Sequence, residues 1–139
     1  MIDLSLEKKL IAFCGFYCRL CPFYTGEFRT KARDYHDFLA PMKNALSGIC
    51  MEKNLDFEKF WEVLEFFSNS GLCVGCKMGG GWEECPIRRC ALKKQIDYCI
   101  LCPDYPCDEM QRRGYTKYSE ILKKKGIDAF IREKLNLKQ

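Results

Sequence analysis

Apolar residues recur at helical spacing along much of this chain, and the recurrence breaks down between about residues 71 and 109. The clearest stripe is Phe57, Phe60, Trp61, Leu64 and Phe67, at i, i+3, i+4, i+7 and i+10. It predicts a helix from Asp56 to Asn69, with Asp56 as N-cap and Gly71 just past the end. Such a stripe reads as core, not as a platform for stacking bases. Upstream, Tyr35, Phe38, Leu39, Met42 and Leu46 predict helical structure between Phe23 and Leu46. Pro41 interrupts it, because its ring removes a backbone donor, so the stretch is either two helices or one ending near Ala40. Residues 1–13 suit a short strand or helix. Further on, Ala91–Ile96 predicts about one and a half turns. Asp108–Arg113 and Lys117–Lys125 read as helices stopped by Gly114 and Gly126, and Asp128 as the cap of a last helix carrying Phe130, Ile131, Leu135 and Leu137. No internal repeat is present. The expected fold is mainly α: one domain over 1–139, with a helical core and a Cys-rich, metal-organised lobe of knuckles and loops (71–109 plus 14–21).

The broken stretch holds seven cysteines, the Gly79–Gly81 run and three prolines. Ten of the eleven cysteines in the chain fall into tight groups: Cys14/Cys18/Cys21, Cys73/Cys76, Cys85/Cys90 and Cys99/Cys102/Cys107. Two thiolates separated by two residues can face one ion from a single turn, so these spacings predict metal ligands. Disulfides fit poorly. The start, MIDLSLEKKLIAF, carries Asp3 and Glu7 and no continuous apolar stretch, and no segment reaches the roughly 18 apolar residues of a membrane span. The expectation is a cytoplasmic chain among reducing thiols, off the membrane.

Within CVGCKMGGGWEECPIRRC, Cys73, Cys76, Cys85 and Cys90 supply four soft donors from two short loops. The glycine run lets the chain reverse between them; it lacks the Lys-Ser/Thr that a phosphate-binding loop needs. CILCPDYPC adds Cys99, Cys102 and Cys107. Their fourth partner is expected from CGFYCRLCP, with Cys21 preferred over Cys14 and Cys18 because Cys21-Pro22 mirrors Cys102-Pro103. Two zinc sites are the expected cofactors, since all-sulfur donor sets favour zinc or iron–sulfur over magnesium or calcium. One such site contributes on the order of 10 kcal/mol to folding. The alternative is a [4Fe–4S] cluster with an electron-transfer or redox-sensing role. The Cys-x3-Cys-x2-Cys spacing of CGFYCRLC also resembles that of radical S-adenosylmethionine enzymes, but a full barrel needs about 200 residues or more and the βα alternation is missing.

The formal net charge is +4 with every cysteine counted neutral. A divalent ion held by four thiolates carries −2, so two sites would cancel it. Residues 88–139 hold 13 Lys/Arg against 7 Asp/Glu, and residues 1–87 hold 10 against 12. This basic second half, with Tyr115 and Tyr118, keeps a nucleic-acid-binding module as a further alternative, against the simpler reading of solvated helix faces. His36, the only histidine, reads as structural and Cys50 as a small buried hydrophobe. Arg88 and Arg89 either soften thiolate charge or are plain exposed cations. Glu83 and Glu84 are the one source of a general base for an open zinc site, and nothing else in the segment supports it. No catalytic residue is assigned; closed thiolate sites point to a scaffold or interaction module with a protein partner of unknown kind.

The series CGFYCRLCP, CVGC, CPIRRCA and CILCPDYPC resembles the prokaryotic domain of unknown function 3795. That family shows a Cys-Gly-x-x-Cys-x-x-Cys-Pro start, a Cys-x-Gly-Cys pair, a Cys-x-Ile-Arg-x-Cys-Ala element and a Cys-x-x-Cys-x-x-x-Pro-Cys ending. All ten motif cysteines are here, with Ile87, Arg88 and Pro106 in place. The resemblance implies a small intracellular zinc-binding protein and brings no activity with it.

Overall fold

The computed structural model describes residues 1–136, and Leu137 of the expected last helix lies outside them. The helices are α1 (Leu4–Lys9), α2 (Pro22–Thr25), α3 (Glu27–Leu39), α4 (Lys43–Glu52), α5 (Phe57–Asn69), α6 (Pro86–Lys94), α7 (Asp108–Arg112), α8 (Thr116–Lys125) and α9 (Ile127–Lys134). No strand occurs among the described residues; one isolated antiparallel bridge joins Ile11 and Tyr17. The fold is mainly α, as the periodicity predicts. The chain forms two compact units, Cys21–Cys73 and, from two separate segments, Met1–Leu20 with Val74 onward. Both boundaries fall inside the stretch expected to make the Cys-rich lobe.

In the Cys21–Cys73 unit, α3 packs along α5. Pro41 sits in a 3-10 turn, Ala40–Met42, which separates α3 from α4 and decides for two helices. The Asp56 side chain accepts from the Lys59 N–H at 3.1 Å, the expected cap. The other end of α5 differs from expectation. Ser70 closes it in an extended conformation, and no left-handed glycine is used. Arg33 donates instead to the Ser68 carbonyl at 3.0 Å and Arg29 to the Ser70 carbonyl at 3.3 Å. Cations from the neighbouring helix thus satisfy carbonyls that the helix end leaves open. Leu39, Phe57, Trp61 and Leu64 form the core, with Ala32, Leu46 and Cys50 packed against it. The rest of the predicted stripe is less buried: Phe60 is 42% exposed. Tyr35, Phe38 and Met42 are exposed too, so only Leu39 of the α3 series enters the core fully.

The discontinuous unit holds α1 and α6–α9. Residues 1–13 resolve as helix α1, capped by Asp3, followed by a reversal through residues 10–18. Asp128 does not cap α9; Gly126 occupies that position, and Asp128 pairs with Lys8 at 2.7 Å. Helix α6 starts at Pro86, five residues before the predicted Ala91, because proline suits the first helical position. Ile87 and Ala91 then join Phe13, Cys99 and Met110 in an apolar cluster. The Cys-rich stretch thus gives Ile87, Ala91 and Cys99 to an apolar cluster, although it shows no apolar period of its own. The missing period misled because the cluster draws single residues from distant segments.

Glu7 is the buried acid of this unit, 2% exposed. It accepts from the Tyr17 hydroxyl at 2.5 Å and from Arg19 at 2.5–3.1 Å. The Arg19 guanidinium holds the Glu7 carboxyl below the usual carboxylate range, against the opposing effect of burial. A carboxyl lowered on folding contributes stability above its unfolded pKa and loses it as pH falls through the folded value. Replacing Glu7 by Gln is expected to cost about 1–3 kcal/mol at neutral pH, discounted because Arg19 is half exposed. The variant should also lose stability less steeply than the parent on acidification, as read from denaturant melts at neutral and acidic pH.

Candidate metal centre

Eight of the ten clustered cysteines belong to the discontinuous unit, and Cys21 and Cys73 stand at the two ends of the other. Cys14 lies at the tip of the 10–18 reversal, where the Gly15 N–H bonds the Ala12 carbonyl at 2.9 Å. Gly15 has φ +93°, and a Cβ there would sit 2.9 Å from the Ser119 backbone nitrogen. Only glycine allows helix α8 to approach so closely. The Ser119 hydroxyl then donates to the Cys14 carbonyl at 2.6 Å, across 105 residues of chain.

Two sets of sulfurs gather around the apolar cluster. Cys14, Cys76 and Cys85 pack against it; the Cys76 and Cys85 sulfurs help to raise the Cys14 thiol, and Cys85 helps to raise Cys76. Burial is the larger influence: it pushes the Cys14 thiol up to about 11 and raises Cys76 as well. The backbone of Phe16 at Cys14 and of Phe13 at Cys76 acts the other way, favouring thiolate. The second set, Cys90, Cys99, Cys102 and Cys107, lines one cavity of about 100 Å³ with Ile87, Ala91, Ile96, Tyr105 and Met110. Burial foremost, then the nearby sulfurs, pushes Cys99 to about 12. Cys90 comes from α6 and Cys107 is the N-cap of α7. Cys99 and Cys102 bracket a 3-10 turn closed by the Cys102 N–H on the Cys99 carbonyl at 3.0 Å.

Cys90 lines a cavity together with Cys99, Cys102 and Cys107. Cys73 is the last residue of the other unit. Cys18 faces Gly75, whose φ is +100° and whose added Cβ would lie 3.5 Å from the Cys18 sulfur. Among the described residues, no three Cys, His, Asp or Glu side chains converge closely enough to hold an ion as they stand. The donors nevertheless suit a soft metal, because four thiols line one largely apolar cavity whose two carboxylates are paired with cations, Asp104 with Lys94 and Glu109 with Arg112 and Arg113.

Sequence reasoning passed over two lysines. Lys94 donates to the Cys102 sulfur at 3.2 Å and to Asp104 at 2.7 Å. Lys77 lies over the Tyr98 ring at 3.6 Å, and desolvation lowers it to about 8. A signal was present for both, a cation next to a cysteine or a turn away, but such cations are common on exposed faces. Arg88 bonds the Gly80 carbonyl at 2.6 Å and also lowers the Cys76 thiol, so it has both structural and electrostatic contact with the site. Arg89 pairs with Glu84. His36 stacks on Trp61 at 4.6 Å, and Cys50 packs against the Leu39 cluster. No helix among the described residues is long and apolar enough to cross a membrane.

The family model for a protein of unknown function, DUF3795, matches residues 10–112, and the chain belongs to that family. No curated protein and no solved structure matches it. The matched range spans every one of the ten clustered cysteines. Gly15→Ala is expected to destabilise the protein by about 2–4 kcal/mol, through left-handed strain plus collision with the α8 backbone, as measured by chemical denaturation. In reduced, metal-free protein, exposed Cys90 should alkylate first and Cys14 and Cys99 last, with peptide mass spectrometry giving the order.

Proposed function

We propose that this member of the family is a thiolate metal-binding protein, most simply a zinc protein, whose sites organise the discontinuous unit and present it as a scaffold or interaction module. One observation carries the reading: seven sulfurs from five separate stretches of chain surround a single apolar cluster. Thiols packed side by side against an apolar cluster do not ionise readily without compensating positive charge. A soft divalent cation supplies that charge and lets the thiols release their protons. Its affinity therefore rises with pH. Four sulfurs around one ion leave no position for substrate, which favours a structural role over catalysis.

A second reading rests on the Cys14, Cys76 and Cys85 set. With a fourth thiolate from a neighbouring cysteine they would hold a [4Fe–4S] cluster, and an electron-transfer or redox-sensing protein would follow.

Protein made with both zinc and iron available and purified without oxygen decides between them. The expected sample is colourless and contains zinc. Chelation under reducing conditions should lower both its helical circular dichroism and its melting temperature. Visible absorption that bleaches on reduction would select the cluster, and a metal-free sample with an unchanged melt would end both readings.

A further inference from the structure

Resting on the metal-binding reading, we infer that Cys90, Cys99, Cys102 and Cys107 form one closed site for a single soft divalent ion, distinct from the Cys14, Cys76 and Cys85 set. Three observations point to this set. The four cysteines line the same cavity, whose volume of about 100 Å³ is too small for a ligand of drug size. Their chain geometry already resembles a knuckle: the Cys99–Cys102 turn supplies two sulfurs, the middle of α6 supplies Cys90 and the N-cap of α7 supplies Cys107. The loop is also held by bonds that need no metal. The Cys99 N–H bonds the Phe13 carbonyl at 2.8 Å, the Tyr105 N–H bonds the Cys102 carbonyl at 3.1 Å, and the Tyr105 hydroxyl bonds Glu120 at 2.6 Å. The backbone of this loop is thus fixed before any ion binds.

Charge at the rim is consistent with an anionic centre. An ion with four thiolates carries −2, and Lys94 is held beside Cys102 by Asp104. Glu109 also lines the cavity, but Arg112 and Arg113 both pair with it, so it is engaged elsewhere. Cys99 is the junction of the two sets, since it belongs to the cluster against which Cys14, Cys76 and Cys85 pack and also lines the cavity. Cys102, its partner across the turn, assigns it to the cavity set.

Cobalt(II) is the probe, because it absorbs visibly in tetrahedral thiolate sites and can be titrated into the reduced full chain. Cys90→Ser, Cys99→Ser, Cys102→Ser and Cys107→Ser should each lose the same one equivalent of thiolate-bound cobalt. Cys14→Ser, Cys76→Ser and Cys85→Ser should keep it. Cys102→His guards against misfolded serine variants: it should retain that equivalent with a band shifted to shorter wavelength. If Cys14→Ser or Cys85→Ser removes the equivalent that Cys99→Ser removes while Cys90→Ser spares it, the grouping is wrong and the metal reading survives. An unshifted band in Cys102→His likewise overturns the grouping. Parent protein that binds no cobalt overturns both.

Discussion

Burying sulfur beside sulfur is the constraint on which the discontinuous unit turns. Cys14, Cys76, Cys85, Cys99 and Cys107 all touch the cluster built on Phe13, Ile87, Ala91 and Met110. In that setting a lone thiolate is costly, and the neighbouring sulfurs add repulsion to desolvation. Cys14, Cys76 and Cys99 therefore hold their protons more tightly than ordinary thiols, and they come from both chain segments of the unit.

The helical core was legible because its signals are local. Asp56, Pro41, Gly114 and Gly126 act through their own backbone, and each lies at or within a residue or two of the break or cap expected of it. The C-terminus of α5 was not legible, since Arg29 and Arg33 reach it from another helix. Helix α6 was cut short for a related reason: CPIRRC reads as a ligand loop until Ile87 and Ala91 are seen facing one cluster. The cysteines as a class stood out from spacing alone. Their grouping did not, because nearness along the chain says nothing about which of two loops a third will meet. Cys90, five residues from Cys85, shares its cavity with sulfurs nine to seventeen residues away.

The family's non-cysteine letters find physical reasons here. The glycine after the first cysteine is the contact point for α8, and the glycine of CVGC faces the Cys18 sulfur. Ile87 and Ala91 are 3% and 1% exposed, and Arg88 fastens the glycine run through Gly80. The motif is thus as much a packing pattern as a ligand pattern. Any account of the family that reads only its sulfurs leaves half of it unexplained.

The order of synthesis meets an obstacle in this arrangement. Helices α2–α5 form from one uninterrupted stretch, and the Cys73 N–H on the Phe23 carbonyl at 3.1 Å closes its two ends. That part can assemble as soon as it leaves the ribosome. The first twenty residues cannot. Tyr17 rests on Phe130 and Gly15 on Ser119, so the earliest residues made must wait for nearly the last before they are covered. During that wait Cys14 and Cys18 stand open to oxidants and to stray metal, which makes the interval before release the most vulnerable time in the life of this molecule.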